Sequence, residues 1–153
     1  MSDIPYKKEL DPKTKAIAVI VVLLIVGMIF GFIISQLSLG YVGKYIDRLK
    51  NESPIIARYI TDMYTLGTIF ICTNIFLLLG LLGIYVDSFR KLKSSFIFGL
   101  ILFIGVLLVQ SIISLPILHF TVGYSSYNPS LFGILPNIFE TLALVILLYL
   151  SME

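Results

Sequence analysis

Four stretches of this chain, residues 16–39, 63–86, 94–118 and 130–152, are almost free of charge, and each is long enough to cross a bilayer. A membrane-crossing helix needs about 20 apolar residues. Inside hydrocarbon every backbone N–H and C=O must be satisfied within the segment, so apolar runs of this length are read as helices. The expected fold class is therefore an all-α integral membrane protein with four transmembrane helices. Composition agrees: 13% of the 153 residues are charged and 58% are hydrophobic, whereas a soluble domain carries about 25% charged residues. The length leaves room for one small bundle and no soluble catalytic domain.

The remaining segments read as an N-terminal tail (1–15), an outer segment (40–62), a short loop (87–93) and a second outer loop (119–129). The last is marked by the turn-rich run from Gly123 to Pro129. The first apolar run exceeds the 7–15 residues of a signal-peptide core, and the site after Ser38 is a poor small-x-small match, so it is expected to stay as a span. Orientation follows from cation counts. Lys7, Lys8, Lys13, Lys15, Arg90, Lys91 and Lys93 fall on one side, and Lys44, Arg48, Lys50 and Arg58 on the other. The positive-inside tendency then puts both termini in the cytoplasm.

In the outer segment, Tyr41, Val42, Tyr45, Ile46 and Leu49 recur at helical spacing, as do Ile55, Ile56, Tyr59, Ile60 and Met63. Ser53 followed by Pro54 is a helix start, with an N-cap and Pro at the first helical position. Two readings fit. The first two spans can both run on outside the membrane as a helical hairpin that turns at Asn51, Glu52 and Ser53, with its apolar faces buried against each other. Alternatively, two short helices lie on the lipid interface. Asn51-Glu52-Ser53 is also a glycosylation sequon in a poor context, with Pro next.

Polar residues inside the spans are few, and they are the candidate site. Glu140 is the only Asp, Glu, Lys or Arg between Lys93 and Glu153. A charge at bilayer mid-depth costs about 2.5–3.5 kcal/mol or more, so such a residue is neutralised, paired or functional. Asn137, Glu140 and Thr141 share a helix face by their spacing of three and four. Counting about 1.5 Å per residue puts Asn74 level with Glu140, and Gln110 level with Asn137. An intramembrane polar core follows, with Glu140 expected near Asn74 and Asn137 near Gln110. Glu140 either pins the bundle as a hydrogen-bonded acid or serves as a proton carrier or a hook for a partner helix. Pro136 is expected to kink the fourth span and free the carbonyl one turn earlier.

Gly27 and Gly31 form a GxxxG in the first span, a pattern that lets helices approach closely, against either another chain or a helix of the same one. Chemistry beyond packing finds little support. The single Cys72 cannot form an internal disulfide. The single His119 cannot make a zinc site and is read as an interface residue. No base accompanies the serines for nucleophilic catalysis. No catalytic, cofactor or metal residues are expected, and a net charge of +2 gives no case for nucleic acid.

Gly83-Ile84-Tyr85 with Arg90-Lys91, then Glu140-Thr141-Leu142-Ala143 running into Leu147-Leu148-Tyr149-Leu150-Ser151, carry a resemblance over residues 82–152. That half of the chain resembles short archaeal multi-pass membrane proteins of uncharacterised function, which implies no activity. The expected role is a non-catalytic accessory or assembly subunit, held by a larger membrane complex or by copies of itself. The alternative is a small oligomeric channel or proton-coupled transporter using Glu140. A membrane sensor is disfavoured, because no cytoplasmic output domain is apparent.

Overall fold

The computed structural model describes residues 12–115 and 131–152 and is all helical among them. The tail with Lys7 and Lys8, and the connection that holds Pro116, His119 and the 123–129 turn cluster, lie outside the described residues, as do the side chains of Pro12, Tyr41, Val42, Lys44, Tyr45, Arg48, Leu49, Glu52 and residues 131–133. The helices are α1 (Pro12–Glu52), α2 (Pro54–Leu92), α3 (Ser95–Ile113) and α4 (Leu131–Met152). Each contains a stretch long and apolar enough to cross a membrane.

α1 and α2 run unbroken through the segment expected outside the membrane. At about 60 Å each, they are twice the thickness of a bilayer's hydrocarbon. They turn back at Ser53, whose backbone is extended and whose carbonyl accepts the Ala57 N–H at 3.1 Å. The Ser53 hydroxyl makes no cap bond. Pro54 alone fixes the helix start, because it supplies the right φ and has no N–H to satisfy.

Residues 87–93, expected as a loop, are helical to Leu92. Nothing in that sequence breaks a helix, and Asp87 and Lys91 pair across one turn at 2.6 Å. α2 ends on Lys93 in the left-handed conformation, φ 46°, with its N–H donating to the Phe89 carbonyl. α3 begins after Ser94, so α2 and α3 are adjacent and antiparallel.

α2 is the central helix and packs against the other three. Its partner along its whole length is α1, and small residues set the spacing. A Cβ on Gly27 would lie 2.7 Å from Thr73 Cα, and one on Gly31 2.7 Å from Ile69 Cα. Further out the same seam becomes hydroxylic. Tyr64 donates to Ser38 Oγ at 2.8 Å, Ser38 to the Ser35 carbonyl, and Ser35 to Thr65 Oγ1 at 3.1 Å. The inner half of the bundle closes on an aliphatic cluster of Ile20, Leu77, Leu78, Leu81, Ile104 and Leu148.

Of the apolar faces assigned to the helical hairpin, Ile46, Ile60 and Met63 are half-buried. Ile55, Ile56 and Tyr59 are exposed, and Ala57 and Tyr64 take the seam. The helices approach where side chains are small, which rotates Ile55 and Tyr59 outward. They flank an open groove of about 940 Å³ lined also by Ile46, Lys50 and Arg58.

Candidate functional site

The polar residues of α2, α3 and α4 converge at one level, half-way along the apolar stretches of α2 and α4. Asn74 is fully buried. Its Nδ2 donates to the Asn137 carbonyl at 3.2 Å, and its Oδ1 accepts from Thr141 Oγ1 at 2.5 Å. Thr141 Oγ1 also lies 2.7 Å from the Asn137 carbonyl. One hydroxyl proton cannot fully serve both acceptors, and the shorter contact assigns it to Asn74. The carboxamide thus clamps α4 with both ends, which fixes which end is oxygen.

Glu140 points elsewhere. Its Oε1 accepts from Ser111 Oγ at 3.1 Å, which ties α4 to α3. Oε2 takes no hydrogen bond among the described residues and is not enclosed by the fold. The expected pairings are therefore corrected. Asn74 meets Asn137 and Thr141 rather than Glu140, and Glu140 meets Ser111. Residues 137 and 141 stand one turn apart and face α2, while residue 140 is rotated by about 100° from 141 toward α3. Gln110 does not pair with Asn137. It is exposed, because its neighbour Ser111 is the α3 residue turned inward. Among the described residues, no buried side-chain N or O lacks a hydrogen-bond partner.

Pro136 lies inside α4. The Asn74 amide does not go to the carbonyl that this proline frees. It goes to that of Asn137, five residues further along. A third tie, Ser151 to Tyr85 at 2.9 Å, holds the end of α4 to α2. Gly27 and Gly31 face α2 of the same chain, which uses the GxxxG internally.

The sequence reading missed Ser111, Thr141 and Ser151 as bonding partners, and the whole hydroxyl seam. One signal was available: Gly27, Gly31, Ser35 and Ser38 form a series of small residues at spacings of four, four and three, which marks a close-packed helix face.

Chemically, the arrangement holds one carboxyl against one hydroxyl. Among the described residues no three His, Cys, Asp or Glu converge to hold a metal. The carboxyl can exchange a proton or bond a group that reaches Oε2.

No curated protein and no solved structure matches this chain. A family model does, over residues 63–152, which is more than half of the chain. That stretch covers most of α2 and all of α3 and α4, so it contains every member of the polar core and leaves out α1. The chain belongs to this family, one of unknown function (DUF8036).

Proposed function

We propose that the chain is a four-span integral protein of the cell membrane with both termini cytoplasmic, and that it works without catalysis as an accessory or assembly subunit of a larger membrane complex. The observation that carries the reading is the surface. In the most apolar windows of α1, α3 and α4, only 17%, 11% and 17% of residues are buried within the chain, and in α2 39%. Phe30, Phe32, Phe98, Phe103 and Phe139 all face outward. Apolar area left in water costs about 25 cal/mol per Å², so these helices need lipid or protein around them. Orientation rests on the seven cations at and before the start of α1 and at the end of α2, against the four of the hairpin. The hairpin then projects outward by about 20 Å, as a rod available for contact.

Native purification in mild detergent tests the role. Protein partners that co-purify at fixed stoichiometry support it, and recovery of the chain alone from its native membrane rejects it.

The second reading is a small oligomeric channel or proton-coupled transporter. The observation in its favour is the open Oε2 of Glu140, set near the middle of α4 with no cation beside it among the described residues. Liposome flux from the purified homo-oligomer, abolished by Glu140→Gln, would support this second reading over the first.

A further inference from the structure

The hairpin leaves open a groove of about 940 Å³ between its two helices. One wall is a stripe of α1, Leu39, Gly43, Ile46 and Lys50, at spacings of four, three and four. The other is a stripe of α2, Ile55, Arg58 and Asp62, at spacings of three and four. Alternating threes and fours are the spacing of a helix seam that receives another helix. The seam between α1 and α2 themselves runs elsewhere, through Ser35, Ser38, Ala57 and Tyr64, all buried. Both stripes are thus left for something outside the pair. Nothing lies within 4 Å of where a Gly43 Cβ would be, so the α1 wall has room for an incoming side chain. Ile55 is 83% exposed in a segment that the membrane reading places in water, where apolar area is unfavourable.

The charges of the groove narrow its occupant. Lys50 and Arg58 both line it and are exposed, and neither has an ion pair among the described residues. Asp62 stands one turn from Arg58 on the same helix, yet the two do not pair. The Tyr64–Ser38 bond sets the register of the hairpin and puts Arg58 level with residue 44. Lys50 is therefore about 9 Å nearer the tip than Arg58. Ile46 and Ile55 fall between the two cations.

We infer that this groove receives an amphipathic helix of a partner protein, apolar where it meets Ile46 and Ile55 and acidic where it meets Lys50 and Arg58. Carboxylates seven residues apart on that helix stand about 10 Å apart along its axis, which matches the two cations. The α1 wall runs about 16 Å from Leu39 to Lys50, so three turns of helix cover it. Asp62, at the membrane end, suits a neutral or basic residue there and gives the helix a direction. A phospholipid with one phosphate would match one cation and follow neither stripe. The inference rests on the subunit reading and names the chemistry of the partner.

The test uses the full chain in its native membrane. Tyr59 lines the groove and Ile56 does not, being turned by about 160° from Arg58 on the same helix. Each position is replaced in turn by the photo-crosslinker p-benzoylphenylalanine. Position 59 is expected to crosslink, and position 56 not, to a segment of another protein with an apolar stripe and flanking carboxylates. That segment, made as a peptide, is then titrated against the chain in phosphatidylcholine nanodiscs. Lys50→Gln with Arg58→Gln should weaken its binding by roughly 3- to 30-fold, the range of two exposed charge pairs. Lys50→Arg with Arg58→Lys should keep it. Adducts at 59 with lipid alone, with a second copy or with a segment lacking carboxylates overturn the proposal. So do the absence of any adduct at 59 and equal capture at 56. The subunit reading survives each of these results if partners still co-purify at fixed stoichiometry. Recovery of the chain in the soluble fraction would sink the membrane reading itself.

Discussion

Gly27→Ala is the sharpest probe of how α1 is held. The added methyl would sit 2.7 Å from Thr73 Cα and 3.3 Å from Thr73 Cβ and Oγ1. The nearest atom is backbone, so no rotamer change relieves the contact. Reaching 3.4 Å, the lower edge of ordinary contact, requires α1 and α2 to part by about 0.7 Å. Overpacking of this kind costs about 1–3 kcal/mol. The same separation stretches Ser35–Thr65 from 3.1 Å and Tyr64–Ser38 from 2.8 Å toward or past the limit of a hydrogen bond. Against this, Ala in a helix gains about 0.5–1 kcal/mol over Gly. The expected net loss is about 0.5–2 kcal/mol for Gly27→Ala, and roughly twice that with Gly31→Ala, whose methyl would meet Ile69 Cα at 2.7 Å.

Gly40 is the internal control, since a Cβ there meets nothing within 4 Å. Gly40→Ala should stabilise by about 0.5–1 kcal/mol. Unfolding in mixed micelles, titrated with SDS and followed by circular dichroism, reads both signs. If Gly27→Ala and Gly40→Ala shift stability in the same favourable direction, the glycine-mediated contact of α1 with α2 is refuted. If Gly27→Ala leaves folding intact and abolishes dimers, the GxxxG faces another chain.

Four further outcomes are expected. With Cys72 replaced, an impermeant thiol reagent should label Glu52→Cys in intact cells and leave Ser2→Cys and Ser151→Cys unlabelled; the opposite pattern would invert the topology. Asn74→Leu should destabilise the bundle by about 1–3 kcal/mol, because it deprives the Asn137 carbonyl and Thr141 of their partner on α2, and a stability equal to the parent's would deny the clamp. Glu140→Gln should keep assembly and melting behaviour, while Glu140→Leu should cost about 1 kcal/mol, since Ser111 can fall back on its own helix backbone. Lys93→Gly should raise stability by up to about 1 kcal/mol by removing a side chain from the left-handed region, and a loss measured by SDS titration would show that the cation at the end of α2 matters more.

Helix number and the turn at Ser53 were legible because they depend on length and on proline, which act locally. Helix rotation was not, and α3 shows why. Its sequence is apolar all round, so hydrophobic patterning cannot say which face turns inward. Gln110 and Ser111 are adjacent, yet one step of about 100° separates an outward amide from an inward hydroxyl. Depth counting placed Asn74 level with Glu140, and they are level, but the contact went to Thr141, one residue on. Where α1 and α2 approach the turn at Ser53, the seam follows the small residues 35, 38 and 57 rather than Ile55, Ile56 and Tyr59, because close approach of two backbones brings more atoms into contact than a wide aliphatic seam does. The series from Gly27 to Ser38 carried that information in the sequence.

Two kinds of attachment therefore divide the molecule. α1 is held to α2 by steric fit and a hydroxyl seam, whereas α4 is held to α2 by a carboxamide and to α3 by a carboxyl, with aliphatic packing among all three. The family match coincides with the second kind. That places Glu140 in the part of the chain defined by the family, and it narrows what the carboxyl can be doing. Asn74 already clamps α4 to α2, so the bundle closes without Glu140. The bond to Ser111 uses one of the two carboxyl oxygens. The oxygen that matters is then the one left open, Oε2. If the helices cross a membrane as proposed, that oxygen needs either a proton or a donor from beyond the described residues, and both demands direct attention to whatever covers the α3–α4 face of the bundle.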